Sequence, residues 1–316
     1  MSKKLISIVT PCFNEEMTVE ECAKRVSVVM AENSELYDYE HIFCDNNSSD
    51  GTLATLLRLA KSDSRIKVIS NSRNFGPFAS MFNGMLAAKG DAVVPFLPAD
   101  CQDPPEVIPE FLREWEQGFK IVYGVRAKRE ESRTLRSIRK GYYRLVNRMA
   151  NISIPTNVGE FSLLDRAVVE SLRQVEDYYP YLRGLIANVG FRSASVQYTW
   201  ASRKRGISKN NAYALFDQGL NGLISFTNVP MRLVMIFGFV TSAIAILYAI
   251  ISLVIHLFVQ PTGVQPGIET LIVGLFFFSG VILFSIGVLG EYVSAIHAQV
   301  RKRPLVVENL RANFND

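Results

Sequence analysis

The sequence is poor in features that define several common protein classes. It has four cysteines, all in its first third: Cys12, Cys22, Cys44 and Cys101. None is spaced as Cys-x-x-Cys, which argues against a zinc site and a disulfide scaffold and favours a reducing compartment. The first lysines run straight into a short strand, without the apolar stretch and cleavage site of a secretory signal. We therefore expect no signal peptide.

The sequence also has little net charge. Its 34 Lys and Arg residues against 30 Asp and Glu give a formal charge of +4, too weak a bias to indicate a nucleic-acid-binding protein. The exception is a basic cluster from Arg126 to Arg148 that contains few acidic residues. A solvated helix and a surface that faces anionic lipid or phosphate both explain this basic cluster.

Two long segments near the end of the chain lack charged residues altogether. Residues 233–259 and 270–290 contain no Asp, Glu, Lys or Arg, and about 20 apolar residues are enough to cross a bilayer. A hydrophobic content of 48% is also high for a wholly soluble protein. The sequence predicts two transmembrane helices, at about 233–259 and 270–298. A buried helical hairpin of a soluble protein is the alternative.

The charges around these segments predict their orientation. Arg232 precedes the first, and Arg301, Lys302 and Arg303 follow the second, whereas the link at 260–269 has no positive charge. By the positive-inside rule, both ends of the hairpin and both termini are cytoplasmic, in the plasma membrane. The predicted domains are a cytoplasmic domain at 1–210, an interfacial amphipathic helix at 211–230, a transmembrane hairpin at 231–298 and a cytoplasmic tail at 299–316. Glycines in the spans would allow a homo-oligomer.

The first 125 residues alternate between strand and helix patterns. Predicted strands lie at 5–10, 41–44, 66–70, 93–97 and 121–124, and predicted helices at 17–30, 52–61, 78–88 and 106–117. Alternation of this kind predicts an α/β domain with a mainly parallel sheet and helices on both faces.

The fourth predicted strand ends in polar residues where ligands of open α/β sheets bind, outside the carboxyl ends of the strands. If the backbone stays extended, Asp100 and Gln102 point the same way, because side chains alternate along a strand. Their oxygens would then face one cation or phosphate. An acidic turn before a proline-led helix is the alternative.

The first strand-to-helix turn, residues 11–16, lacks the glycines that a dinucleotide-binding turn needs, which argues against a dehydrogenase. Instead, polar residues follow four successive strands: Glu15 or Glu16, Asp45, Arg73 with Asn74, and Asp100. For each of these residues on its own, a role as a loop cap or turn former is the alternative. Together they indicate a polar binding site at one edge of the sheet.

Several short motifs occur in a recognisable order. They are Pro11-x-x-Asn14-Glu15, Asp45-x-x-Ser48-x-Asp50-Gly51-Thr52, Arg73-Asn74-Phe75-Gly76, Gly90-Asp91, Asp100-Cys101-Gln102-Asp103-Pro104-Pro105 and Arg203-x-x-Gly206-x-Ser208-Lys209. In these motifs and in the paired apolar segments, the chain resembles family 2 glycosyltransferases. More narrowly, it resembles the polyisoprenyl-phosphate glycosyltransferases, the group of dolichol-phosphate mannose synthase and the bacterial bactoprenol glucosyltransferases. The similarity covers nearly the whole chain.

The resemblance implies a Rossmann-like GT-A domain that transfers sugar from a UDP- or GDP-sugar, such as UDP-glucose, to undecaprenyl or a similar polyprenyl phosphate, with Mg²⁺ or Mn²⁺ and inversion at the anomeric carbon. It also implies roles for individual residues. These are Pro11, Asn14, Glu15, Asp45, Asn74 and Asp100 for the nucleotide sugar, Asp100 and Gln102 for the metal, Arg203, Ser208 and Lys209 for phosphate, and Asp100, Glu160 and Arg203 for catalysis.

The chain departs from the family pattern at three positions. Asn46 follows Asp45 where a second aspartate is frequent, Pro98 replaces the first acid of an Asp-Ala-Asp triplet, and Ser162 replaces an arginine. The first two leave open how the metal is held, and whether Asp103 contributes. The alternatives to the implied function are the same fold with another lipid or glycan acceptor, and a non-catalytic nucleotide-binding scaffold.

Overall fold

The computed structural model describes residues 3–126, 158–175, 182–199, 229–259, 268–300 and 304–314. They belong to two compact units. The first combines residues 1–147, 152–211 and 302–316, and the second combines 148–151 and 212–301. The basic cluster beyond Arg126 and most of the predicted interfacial helix at 211–230 lie outside the described residues.

The first unit contains an eight-stranded sheet. Its strands are β1 (Lys4–Cys12), β2 (Tyr37–Asp45), β3 (Ile66–Asn71), β4 (Ala92–Val94), β5 (Ile121–Arg126), β6 (Val158–Asp165), β7 (Ser193–Tyr198) and β8 (Glu308–Ala312), in the order β7-β5-β6-β4-β1-β2-β3-β8. The central strands β4, β1, β2 and β3 are parallel, whereas β6 and β8 run antiparallel to their neighbours. The sheet is mixed with a parallel centre, which confirms the predicted α/β class.

Helices connect these strands where the apolar spacing predicts them. The described helices of this unit are α1 (Val19–Glu32), α2 (Thr52–Ser62), α3 (Pro77–Ala87), α4 (Ile108–Glu116), α5 (Arg166–Arg173) and α6 (Leu182–Val189), with a 3₁₀ turn at Pro105–Val107. In α4 the buried residues Ile108, Phe111, Leu112 and Trp115 follow the i, i+3, i+4, i+7 spacing of one helix face. The central strands are covered on both faces, so they form near-continuous apolar runs.

A buried polar network crosses the sheet at Glu40 of β2, which is 3% exposed. Its carboxylate accepts hydrogen bonds from the Ser7 hydroxyl at 2.5 Å and the Lys89 backbone N–H at 2.7 Å, and it pairs with Lys67. Burial raises the pKa of Glu40, but these hydrogen bonds outweigh burial and hold the pKa below its usual value of 4.5.

Part of the predicted cytoplasmic tail at 299–316 belongs to the sheet. Residues Glu308–Ala312 form β8, the edge strand beside β3. Apolar periodicity does not mark this strand, because its five residues alternate between half-buried and exposed positions.

The second unit contains two long helices, α7 (Val229–Val259) and α8 (Ile268–Val300), of 31 and 33 residues. Each contains one of the predicted spans. Among the described residues, one stretch is long and apolar enough to cross a membrane, Phe277–Ser294, with a mean hydropathy of 1.6 and none of it buried. The structure thus supplies one candidate membrane helix, and the second span stays a prediction.

The network around Glu40 predicts a pH-dependent loss of stability. We expect Glu40→Gln to lower the free energy of unfolding by about 3 kcal/mol near pH 7, because the variant leaves the Lys67 charge without its buried partner. A carboxylate with a lowered pKa stabilises the fold above its unfolded pKa and loses that effect as the pH falls through the folded pKa. The deficit of the variant should therefore shrink below pH 4.5.

Denaturant unfolding of the purified protein in detergent, at neutral and acid pH, measures both effects. Glu170→Gln is the control, because Glu170 makes its ion pairs with Arg166 and Arg173 at the exposed surface. We expect this control to unfold like the parent. If Glu40→Gln lowers the free energy of unfolding by the same amount at neutral and acid pH, the prediction is contradicted.

Candidate active site at the carboxyl edge of the sheet

Two loops at the carboxyl ends of β1 and β2 are joined by hydrogen bonds. Asn14, in the left-handed region with φ 55°, donates its backbone N–H to the Ser48 hydroxyl at 2.9 Å and accepts the Ser49 backbone N–H on its side-chain oxygen at 2.8 Å. The Glu15 backbone N–H donates to the Thr52 hydroxyl at 2.9 Å. The predicted nucleotide contact Asn14 therefore also fixes the shape of this edge.

Three of the residues predicted to contact the nucleotide sugar lie in or next to these loops. Pro11 is buried in β1 opposite Cys44 of β2. Asp45 ends β2, is fully buried, and accepts the Ser48 hydroxyl at 2.5 Å. Burial raises the pKa of Asp45, although the Ser48 hydrogen bonds oppose this. Glu15 is half-buried, and its carboxylate accepts the Thr18 hydroxyl at 2.8 Å.

Asn46 connects the ends of three strands. Its side chain is 2% exposed, accepts hydrogen bonds from the Asn71 amide at 2.9 Å and the Phe75 N–H at 3.4 Å, and donates to the Gly76 carbonyl at 3.3 Å. Its backbone N–H donates to the Cys12 carbonyl at 2.9 Å. Asn46 therefore shapes the loop at 73–76, which we call the donor loop because the resemblance implies that its Asn74 contacts the nucleotide sugar.

The donor loop presents polar and planar groups at the edge of the sheet. The Asn74 side-chain oxygen accepts the Gly76 N–H at 2.8 Å, and Gly76 adopts φ 88°, a conformation that glycine tolerates best. The Arg73 guanidinium stacks over the Phe75 ring at 3.9 Å and is exposed. The donor loop therefore offers an exposed amide and an exposed, stacked cation to a ligand.

The expected geometry at Asp100 and Gln102 is wrong. Strand β4 ends at Val94 rather than near Leu97, and Cys101 has φ 49° and donates its N–H to the Pro98 carbonyl at 2.9 Å. The backbone turns here, so the alternation of an extended strand does not apply. One Asp100 oxygen accepts the Gln102 backbone N–H at 3.2 Å. Cys101 is buried.

Asp103 holds three elements together in a buried set of contacts. It is 1% exposed, both of its carboxylate oxygens lie 3.0 Å from Arg126 Nη2, and it accepts the Tyr198 hydroxyl at 2.5 Å. This set joins the turn after β4 to β5 and β7. Arg126, counted from the sequence in the basic cluster, is instead largely buried. No short motif predicts the contribution of Tyr198, because it lies 95 positions from Asp103.

Glu160 lies on β6 in another buried ion pair. Its Oε1 is 2.8 Å from Arg183 Nε of α6, and its Oε2 has no hydrogen-bond partner among the described residues. Burial raises the pKa of Glu160, and the Arg183 guanidinium opposes that rise. Ser162, at the third departure from the family, is 2% exposed and donates to the Glu160 carbonyl at 3.3 Å.

The structure therefore brings several predicted residues to one edge, because the parallel strands β4, β1, β2 and β3 all end there. These residues are Asn14, Glu15, Asp45, Asn74, Asp100 and Gln102. Arg203, Ser208 and Lys209 lie outside the described residues. Within the described ranges, no three His, Cys, Asp or Glu side chains lie close enough together to hold a metal.

The buried contacts of Asp103 with Arg126 and Tyr198 predict that removing the Asp103 charge strongly destabilises the fold. We expect Asp103→Asn to lower the free energy of unfolding by about 3 kcal/mol, because Arg126 keeps a buried charge without its carboxylate partner. Tyr198→Phe should cost about 1.5 kcal/mol, since it removes one hydrogen bond to a charged group. Denaturant unfolding followed by tryptophan fluorescence measures both, with the exposed Glu20→Gln as the control. We expect the largest loss of stability in Asp103→Asn and the smallest in Glu20→Gln. Equal losses in all three variants would contradict this prediction.

Solved structures share the fold of this chain. A mannosyltransferase from Pyrobaculum calidifontis, solved with GDP-Man and Mn²⁺, gives a TM-score of 0.50 at 14% identity over 96% of this chain and 87% of that protein. Glucosyl-3-phosphoglycerate synthase from Mycobacterium tuberculosis, solved with Mn²⁺, UDP and phosphoglyceric acid, gives 0.50 at 19% identity over 70% and 78%. These likenesses show the fold alone, which is the predicted GT-A fold.

Sequence relatives extend over both units. The uncharacterized glycosyltransferase YkcC of Bacillus subtilis is 35% identical over 302 residues, which cover 95% of this chain and 92% of the relative. The bactoprenol glucosyl transferase of Shigella phage SfII is 36% identical over 302 residues, or 95% and 96%. The model of glycosyl transferase family 2 matches residues 7–173. The chain therefore belongs to glycosyltransferase family 2, is an enzyme that transfers hexose, and resembles the bactoprenol glucosyl transferases within that family.

Proposed function

We propose that this chain transfers glucose or a similar hexose from a nucleotide sugar to undecaprenyl or another polyprenyl phosphate, at the cytoplasmic face of the plasma membrane. The observation that carries the proposal is the extent of the similarity to bactoprenol glucosyl transferases, which includes the long helices as well as the sheet. An enzyme with a soluble acceptor has no need of these helices. The geometry of the sheet edge supports a nucleotide sugar as the donor.

Glu15, Asp45 and Asn74 surround the place proposed for the nucleoside. The carboxylate of Glu15 and the amide of Asn74 supply hydrogen-bond partners for ribose hydroxyls and the base. Asp45 is fully buried against Ser48, so it would support the proposed nucleoside site from within the sheet. Pro11 and Asn14 hold the neighbouring loop in place.

Mg²⁺ or Mn²⁺ would fit the oxygen donors of the turn after β4 if the metal binds together with the nucleotide. Asp100 would supply one carboxylate and Gln102 one amide oxygen, which are hard ligands. Mg²⁺ in such sites keeps several waters and is bound by one or two carboxylates plus substrate phosphates, so a three-carboxylate cluster is not required. The ion would neutralise the charge of the leaving diphosphate.

The acceptor chemistry needs little help from a general base. A phosphate monoester has a second pKa of about 6, so it is mostly ionised at neutral pH and can attack the anomeric carbon directly. Arg203, Ser208 and Lys209 would orient this phosphate for attack opposite the leaving diphosphate, which inverts the anomeric centre. Glu160, paired with Arg183, would set the electrostatic field near the acceptor.

The connectivity supports a hairpin in the membrane. Residues on both sides of helices α7 and α8 belong to the same unit, because β8 pairs with β3 in the sheet of the first unit. A folded sheet lies on one side of a bilayer, so the chain that leaves it must return to that side. Two spans, with both termini in the cytoplasm, satisfy this condition and the positive-inside rule.

The proposed metal and diphosphate site predicts the effect of removing Asp100. We expect Asp100→Ala to lower transfer of sugar from the nucleotide sugar to undecaprenyl phosphate by about a hundredfold or more, because the leaving diphosphate loses its charge stabilisation. Transfer of radiolabelled sugar in detergent, tested with a panel of nucleotide sugars, measures this effect. Asp38→Ala is the control, since Asp38 lies at an exposed position of β2 remote from the carboxyl edge.

The outcomes of this assay separate the alternatives. Normal turnover by Asp100→Ala would overturn the assignment of this residue. Transfer by the parent chain to diacylglycerol or a glycan, but to no polyprenyl phosphate, would overturn the proposed acceptor and leave the family assignment intact.

The proposed topology predicts the labelling of introduced cysteines. The four natural cysteines are buried, so they should react slowly with a membrane-impermeant maleimide. Applied to intact spheroplasts, the reagent should label Gln265→Cys in the link between the helices but not Asn315→Cys. After lysis of the spheroplasts, the reagent should label Asn315→Cys as well. Equal labelling of both variants before lysis would contradict a hairpin of two spans.

A further inference from the structure

The segment at 304–314 pairs with the end of β3 that leads into the donor loop. Residues Ala312, Arg311 and Leu310 lie opposite Val68, Ile69 and Ser70 in turn. The register then shifts, so that Glu308 lies opposite Asn71. The next backbone N–H, that of Ser72, donates to the Val307 carbonyl at 2.8 Å. The pairing therefore continues to the residue before the donor loop begins.

Side chains fasten this segment at both of its ends. The Asn313 amide donates to the Ala60 carbonyl at 2.6 Å and the Ile66 carbonyl at 2.8 Å, between the end of α2 and the start of β3. At the other end, the Asn83 amide of α3 donates to the Glu308 carboxylate at 2.6 Å. The segment is thus tied to the elements on either side of β3.

A hydrogen-bonded path leads from this segment to the donor loop. Asn71, at the register shift, donates its amide to the Asn46 side-chain oxygen at 2.9 Å and to the Ser80 hydroxyl at 3.1 Å. Asn46 in turn contacts the backbone of Phe75 and Gly76. A change in the position of Asn71 or Ser72 would therefore move both the start and the far side of the loop.

We propose that segment 304–314 is a positioning element of the donor site, and that it holds the donor loop in the conformation that binds the nucleotide. This inference rests on the proposed function, because it assigns the loop to nucleotide binding. Without the segment, β3 would be an edge strand with unpaired backbone groups, and Ser72 would lose its partner. The part of the chain that follows the long helices thus completes a site built mainly from the first hundred residues.

A truncated chain tests the proposal. The full chain and a chain that ends at Arg303, both retaining the helices, are titrated in detergent with UDP and Mn²⁺ by calorimetry, and with GDP if the full chain does not bind UDP. We expect truncation to weaken nucleotide binding by about tenfold or more, and a synthetic peptide of residues 304–316 to restore it. Unchanged affinity in the truncated chain overturns the positioning role. Absence of binding to the full chain would instead count against the proposed function.

A point variant decides the matter if the truncated chain does not fold. Asn313→Ala removes the hydrogen bonds that fasten the segment but leaves every residue of the candidate site in place. We expect the Kd for the nucleotide and the KM for the nucleotide sugar to rise about threefold, with the KM for the lipid phosphate unchanged. The matched control is Asn33→Ala, which loses an amide-to-carbonyl bond of 2.8 Å at the end of α1. Parent-like nucleotide binding by Asn313→Ala overturns the proposal.

Discussion

The parallel pairing of β4, β1, β2 and β3 is the constraint on which the rest of this structure depends. Parallel strands bring four successive loops to one edge, where the hydrogen-bond ladder ends and the backbone needs other partners. Side chains supply those partners: Asn14 for the loop after β2, Asn46 for the donor loop, and Asp100 for the turn after β4. The same short polar side chains that indicate a binding site are therefore also what shapes it.

This dual role explains why part of the site could be predicted and part could not. Apolar periodicity predicted the central strands and helices, and the strand ends located Asp45, Asn74 and Asp100 on one edge. Side-chain direction at Asp100 and Gln102 was predicted wrongly, because it depended on an extended backbone that in fact turns at Cys101. The alternative, an acidic turn before a proline-led helix, describes this segment instead.

Long-range contacts were beyond prediction for a different reason. Asp103 meets Arg126 and Tyr198, and Glu160 meets Arg183, because strands, helices and turns from distant parts of the chain are neighbours in the fold. The spacing of charged residues in one sequence does not report such neighbours. Strand β8 was missed likewise, since its partner β3 lies far earlier in the chain. Membership of glycosyltransferase family 2 identifies the type of reaction, which is sugar transfer. Only the structure shows which side chains hold the strands and helices around the site in place.

The position of β8 also has a consequence for the order of folding. Asn313 and its partner Ile66 are 247 positions apart, so this edge of the sheet cannot close until both long helices have been synthesised. Until then, the outer side of β3 is an open strand edge, a type of surface that promotes aggregation. Contacts of such long range also form slowly, because a long loop must close first. Closure of the last strand thus reports that the chain as far as Ala312, both long helices included, has been made.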